Sequence, residues 1–199
     1  MGKYAVEVRK VALRVTEAIM ESLGLGHSYL RNELEDGLQV MAVNGYPTRR
    51  SHELRQNPDS RIGFAPHSDY SIITIVLQSF GGLEQFDTET GTWNQVREVP
   101  GSLIVQVGDY LEVLSNGVYK STVHRVVLRP RRAMRVSIAS LHSLGMEEKV
   151  KVAEELVDED HPVGYRESSF TRFLDFLSSN DGQRGGRSYL DTLKISGDH

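Results

Sequence analysis

The spacing of apolar residues changes from a helical to a strand-like period soon after residue 25 and turns helical again only near residue 170. Tyr4, Val8, Val11, Ala12, Val15, Ile19 and Leu23 recur at helical spacing with charges between them, and Gly24 and Gly26 follow where a left-handed C-terminal cap is wanted. This predicts one amphipathic helix, whose stripe needs a surface that nothing earlier in the chain supplies. The almost wholly apolar run Leu38 to Val43 predicts a buried strand, and Asn44-Gly45-Tyr46-Pro47 reads as turn chemistry. Thr48 to Arg61 is polar and aperiodic, an exposed loop. Strands are then expected at Ile72 to Leu77, at Leu83 to Phe86 and Trp93 to Val96 as a hairpin through Asp87 to Gly91, and at Leu103 to Val107, which Gly108-Asp109 closes. After Asn116-Gly117 come two more, Ser121 to Leu128 and Met134 to Ser140, joined across Arg129 to Arg132. Glu147 to His161 is acidic and looping. Phe170, Phe173, Leu174 and Leu177 predict a second amphipathic helix before the polar Ser178 to Arg187 loop. Helix, antiparallel sandwich or barrel, helix is the expected plan of a single domain.

Composition narrows what such a domain can do. The 199 residues include no Cys, so a disulfide framework, a thiolate zinc site and a thiol nucleophile are all excluded, and any metal must be held by His, Asp or Glu. With 23 Lys+Arg against 27 Asp+Glu the net charge is −4, which argues against a surface that coats nucleic acid. No stretch approaches the roughly 18 apolar residues of a membrane span. Lys3, Glu7, Arg9 and Lys10 interrupt the place of a secretory signal, so the expected compartment is the cytosol.

Three residues then stand out. His67 and Asp69, at the entry to the Ile72 strand, are two apart and face one side of an extended chain. Alone, such a pair is also what a surface His bonded to a turn Asp would look like. His124 changes the balance, because it lies in the apolar strand Val123 to Leu128, where an imidazole without a partner is costly to bury. Two His and one carboxylate form a facial triad suited to non-haem Fe(II). Arg135 and Ser137 also share one strand face, and a guanidinium fork beside a hydroxyl is a receptor for a carboxylate; the plainer alternative is a strand Arg reaching solvent.

His67-x-Asp69, His124 and Arg135-x-Ser137, with Asn44-Gly45-Tyr46-Pro47, Pro66 to Tyr70, Gly82-Leu83-Glu84, Gly108 to Gly117, Lys120 to Arg125 and Arg135 to Ala139, resemble the plant-type Fe(II)- and 2-oxoglutarate-dependent dioxygenases over residues 4 to 177 or more. The resemblance implies a double-stranded β-helix, or jelly roll, at residues 38–145, after a helical lead-in at 1–37 and before a C-terminal loop, helix and tail at 146–199. It implies Fe(II) on His67, Asp69 and His124, the distal carboxylate of 2-oxoglutarate on Arg135 and Ser137, and Asn44 and Tyr46 beside that co-substrate. It implies O₂ as oxidant, with hydroxylation or desaturation of a small molecule and release of succinate and CO₂. Pro66 to Tyr70, Ser140 to Ser143 and Leu156 to Ser169 look most like the flavanone 3-hydroxylase-like and salicylate-hydroxylase-like branch, hence a small aromatic plant metabolite such as a flavanone or a phenolic acid.

Thr48-Arg49-Arg50 replaces the family's Pro-Cys-Pro-like run, which points to a rebuilt loop and a displaced Tyr46. Members of the family usually carry about a hundred further N-terminal residues; the chain therefore reads as a fragment, a shortened paralogue or a splice form, and its uncovered first helix as a surface for self-association. The rival from another class is a truncated, non-catalytic homologue that acts as a binding protein. A hydrolytic metal enzyme on a similar core leaves Arg135-x-Ser137 unexplained. His27, His52, His142 and His161 lack partners at ligand spacing and read as surface or loop histidines. Asp109 reads as a turn-fixing side chain and Trp93 as hairpin packing. Phe170, Phe173 and Leu174 read as core, one of which the family's placement of this helix would bring to substrate.

Overall fold

The computed structural model describes residues 1–47, 61–128, 133–179 and 188–195. Helix α1 (Gly2–Ser22) buries Val8, Ala12, Thr16 and Met20, one side chain every four residues, and Val11 falls outside the stripe. Gly24 adopts φ +76° and Leu25 N–H returns to the Met20 carbonyl, the left-handed stop that the glycines predict. The stripe does not lack a surface: it packs on later parts of this same chain, against α2 (Arg31–Glu35) and on strands β3 (Ile73–Gln78) and β8 (Arg135–His142). Met20 is wholly buried there.

The remaining strands are β1 (Gln39–Tyr46), β2 (Ile62–His67), β4 (Leu83–Asp87), β5 (Thr92–Gln95), β6 (Ile104–Val107) and β7 (His124–Val127). They form two four-stranded antiparallel sheets, β1-β8-β3-β6 and β2-β7-β4-β5, the interleaved order of a jelly roll. Several boundaries differ from expectation. Asn44 to Tyr46 continue β1 instead of turning, because Asn44 pairs with Ser137 and Tyr46 with Arg135. β1 is also less buried than its composition suggests, with Val43 59% exposed. β2, whose short run is interrupted by Gly63 and Pro66, is a separate strand, so His67 ends it and does not open the Ile72 strand. Ser121 to Val123 are irregular and the strand begins at His124. Gly108-Asp109 does not simply close β6: it starts helix α3 (Asp109–Leu114), whose six residues are all buried. The predicted Thr48 to Arg61 loop apart from Arg61 itself, His52 and most of the Ser178 to Arg187 loop lie outside the described residues.

Helix α4 (Phe170–Ser178) and α5 (Tyr189–Leu193) are capped by Ser169 and Ser188, whose side chains accept from Arg172 N–H and Asp191 N–H. The larger hydrophobic cluster joins α1, α2, α3, α5 and β3, whereas the smaller one, Tyr46, Leu83 and Val126, lies between the sheets. Side chains thus fill only part of the space between the sheets, and the rest is a cavity. No helix among the described residues is long and apolar enough to cross a membrane.

Candidate active site

His67 and His124 close the β2–β7 ladder as a directly opposed pair, their ring centroids 4.2 Å apart. Asp69 follows in the irregular segment after β2 and is buried, as is His124. Its Oδ1 lies 3.8 Å from His67 Nε2 and 3.9 Å from His124 Nε2. Both gaps are too long for hydrogen bonds. They are within the roughly 4.2 Å that can separate two donors each about 2.1 Å from one ion, and the three ligand atoms lie within 4.8 Å of one another. The far side of each ring strengthens the fit. His67 Nδ1 is 2.8 Å from the Ala65 carbonyl and His124 Nδ1 is 3.2 Å from that of Thr122. A carbonyl only accepts, so each ring donates from Nδ1 and turns its Nε2 toward Asp69, the orientation of metal-bound imidazoles. Burial lowers the pKa of His124, although the Asp69 charge works the other way, and a neutral ring is what coordination needs.

Helix α3 underlies this triad. Gly108 comes so close to the Asp69–Ser71 segment that a Cβ would sit 1.9 Å from the Ser71 carbonyl oxygen, which leaves room only for glycine. Asp109 N–H donates to the Asp69 carbonyl at 2.7 Å. The Asp109 carboxylate accepts from Ser121 Oγ at 2.6 Å and from Ser68 Oγ at 3.1 Å. Burial pushes its pKa up to about 7 against the pull of those two hydroxyls. One turn on, Glu112 accepts from Ser121 N–H at 2.6 Å and from the Tyr165 hydroxyl at 2.7 Å.

At the other end of the cavity is Arg135. The alternation of β8 sends Arg135, Ser137, Ala139 and Leu141 to the inner face, opposite Asn44 and Tyr46 of β1. Arg135 is 6% exposed. Its Nη2 donates to Gln78 Oε1 at 2.8 Å, Nη1 to Ser137 Oγ at 3.3 Å and Nε to the Phe80 carbonyl at 3.2 Å, and the guanidinium lies over the Tyr46 ring at 4.9 Å. Burial lowers its pKa, and Tyr46 opposes the shift. All three described acceptors are neutral, so among the described residues the charge has no carboxylate partner, a costly state unless an anion joins it. Gly82, at φ +139°, lets the chain pass; a Cβ there would meet Arg135 Nε at 3.3 Å and the Val127 carbonyl at 2.9 Å.

The cavity between triad and Arg135 measures about 790 Å³, a volume that holds a co-substrate and a small molecule together. Phe173 and Phe176 of α4 and Tyr189 of α5 form part of its wall, with Tyr70 stacked on Phe170 at 4.5 Å. Sequence reasoning brings together the triad and the Arg135–Ser137 pair, and the structure gathers Asn44 and Tyr46 around the same space. It misses Gln78, hidden because it ends a plain strand, and Gln106. Gln106, opposite Thr74 in the β3–β6 ladder, lines the cavity and is 5% exposed. His142 corrects the expectation of a surface residue: it is 3% exposed on β8, and burial, aided by the Arg9 charge, lowers its pKa to about 4. His27 and His161 are exposed as expected, and Trp93 packs with Phe86 under Arg125.

Comparison with known proteins agrees with this geometry. Residues 37–143 match the family model of the 2OG-Fe(II) oxygenase superfamily. The chain is 51% identical to 2-oxoglutarate-dependent dioxygenase 21, chloroplastic, and 48% identical to flavanone 3-dioxygenase 3, both of Oryza sativa subsp. japonica, over 98% of its length in each case. It spans 56% and 57% of those two relatives, little more than half. Among solved structures, JOX2 in complex with 2OG, Fe and JA superposes with a TM-score of 0.82 at 27% identity, over 98% of this chain and 55% of that one. From strand order, donor set and these matches together, the chain belongs to the 2OG-Fe(II) oxygenase superfamily.

Proposed function

We propose that this chain carries the Fe(II)- and 2-oxoglutarate-binding centre of a dioxygenase that hydroxylates or desaturates a small aromatic plant metabolite, such as a flavanone or a phenolic acid. The observation that carries the reading is the pairing, across one cavity, of a metal-ready triad with a buried guanidinium that meets no carboxylate among the described residues. His67, Asp69 and His124 would hold the metal, with Nδ1 of each His kept on a backbone carbonyl so that Nε2 stays free. Arg135 would take the distal carboxylate of 2-oxoglutarate through its planar fork. Ser137 adds a hydroxyl to that receptor, Gln78 fixes one arm of the fork, and Tyr46 covers its face. Asn44, in register with Ser137, lines the path between the two ends. When bound, Fe(II) and 2-oxoglutarate supply the reductive activation of O₂ that oxidises a substrate C–H bond while 2-oxoglutarate becomes succinate and CO₂.

What the chain itself contributes is placement and dryness. Val40, Ala42, Val76, Ala139 and Leu141 give the inner faces of β1, β3 and β8 a mostly apolar wall, interrupted by Asn44 and Thr74, which limits the water that competes for the oxidant. The aromatic wall of Phe173, Phe176 and Tyr189 favours a flat, apolar substrate, consistent with the flavanone 3-dioxygenase named among the relatives. The test is succinate release from 2-oxoglutarate with Fe(II) and O₂, with and without a panel of flavanones and phenolic acids. Stimulation by one of them with matching product supports the reading. Iron and 2-oxoglutarate binding with no succinate under any condition would favour the non-catalytic binding homologue instead.

A further inference from the structure

We propose that Asp109 is a positioning residue for the triad: its carboxylate is the brace that sets the distance between the two chain segments bearing the ligands. The proposal rests on the metal-binding reading above. His67 ends β2 and Asp69 follows in the irregular segment after it, whereas His124 starts β7, 55 residues later than Asp69. Apart from the His67–His124 ladder pair, something must fix the irregular stretches that lead into them, namely 68–70 and 121–123.

Asp109 is bonded to both. One carboxylate oxygen accepts from Ser68, the residue between the two ligands His67 and Asp69, and the other from Ser121, three residues before His124. Its own N–H holds the Asp69 carbonyl, and Tyr110 N–H holds that of Ser71 at 3.2 Å. Glu112 completes the grip by taking Ser121 N–H. The brace cannot drift, because α3 is buried on every side and Gly108 is wedged against Ser71. Asp109 has no reason to be in such a place for packing: a buried carboxylate 2% exposed is costly, and a small apolar side chain would fill the space without it. The two serine bonds are what it gains, and both end on ligand-bearing segments. Ligand-orienting groups beyond the metal's direct contacts typically account for 10–100-fold in metal affinity.

The experiment is anaerobic calorimetric titration of the whole chain with Fe(II), repeated with Co(II), whose visible absorption reports the symmetry of its ligands. The variants are Asp109→Ala, Asp109→Asn, Ser68→Ala, Ser121→Ala and the Ser68→Ala/Ser121→Ala double, with Val113→Ala as a fold-matched control on the same helix. We expect Asp109→Ala to weaken Fe(II) roughly 10–100-fold and to alter the Co(II) spectrum. Asp109→Asn, which keeps the shape and one acceptor, should recover part of the loss. The serine variants should each weaken binding severalfold, and the double should approach Asp109→Ala. Val113→Ala should lower the melting temperature and leave affinity and spectrum as in the wild type. The proposal is overturned if Asp109→Ala and the serine double bind Fe(II) as tightly as the wild type with an unchanged Co(II) spectrum, or if Val113→Ala weakens the metal as much as they do. Should Asp109→Ala not fold, the two serine variants decide alone. Failure of the wild type itself to bind Fe(II) would overturn the metal reading and the brace together, whereas binding that only His67, Asp69 and His124 variants weaken would overturn the brace alone.

Discussion

The two faces of β8 carry two buried polar groups that look alike in sequence and behave differently. On the outer face, His142 Nε2 is 3.0 Å from Ser140 Oγ, which accepts from Gln39 Nε2 at 3.1 Å. Gln39 also donates to the Ala5 carbonyl and accepts from Arg9 Nε at 3.2 Å, while Arg9 reaches the Glu35 and Gly37 carbonyls. This chain of bonds ends on protein at both ends and ties α1 to the sheet. On the inner face, three of the five Arg135 N–H groups meet neutral acceptors, and no carboxylate among the described residues matches its charge. A closed network stabilises a fold; one left open in donors and in charge can take an anion. The difference separates a structural residue from a proposed binding residue without reference to any relative.

The largest effect expected on the inner side is at the triad. His67→Ala, Asp69→Ala or His124→Ala should each abolish tight Fe(II) binding in anaerobic titration; unchanged affinity in all three would remove the metal centre. On the outer side the effect is on stability and depends on pH. His142 has a folded-state pKa of about 4 against an ordinary 6.5, so between those values the unfolded chain binds a proton that the folded chain refuses. Stability is therefore full above about pH 6.5 and falls as pH drops toward 4, by up to about 3 kcal/mol. His142→Gln should flatten that limb of a urea-denaturation profile, and an unaltered slope would mean that the ring is not held neutral. Next comes Arg135→Lys, which keeps the charge and loses the fork: 2-oxoglutarate should bind about 1.5–3 kcal/mol more weakly to the iron-loaded protein, with Fe(II) affinity retained. Equal 2-oxoglutarate affinity would make Arg135 as structural as His142. The smallest effect is at Gln106. Its amide faces the cavity and is not among the buried polar groups left without a partner, so Gln106→Leu should change the stability of the ligand-free chain by about 0.5 kcal/mol or less, measured by thermal denaturation; a larger loss would show that the amide holds part of the cavity wall in place.

Alternation made the inner face of β8 legible from sequence: Arg135 and Ser137 two apart on an apolar strand face one way whatever else the fold does. His67-x-Asp69 was legible for its spacing, though the pair sits at the end of β2 and not on β3 as expected. His142 was not, because a histidine in an apolar strand is compatible with solvent or with burial, and the partners that decide it, Arg9 and Gln39, are more than a hundred residues away. α3 was hidden for a different reason. A helix buried on all sides has no polar face and so no amphipathic period, and Gly108-Asp109 before it carries the signature of a turn. The brace at Asp109 became visible only once Ser68 and Ser121 were seen to converge on it.

The strand order has a consequence for how the chain comes into being. Among the described residues β1 pairs with β8 alone, in a ladder from Gln39↔His142 to Tyr46↔Arg135, so a ribosome working at about 5–20 residues per second must run for roughly 5–20 s after β1 emerges before that partner exists. Throughout that interval the β8 side of β1, and the part of the α1 stripe that packs on β8, wait for their surface. Such long-range closure is slow and exposes strands to wrong pairing, which makes the nascent chain a client for chaperones that shield apolar segments until the last strand of the sandwich arrives.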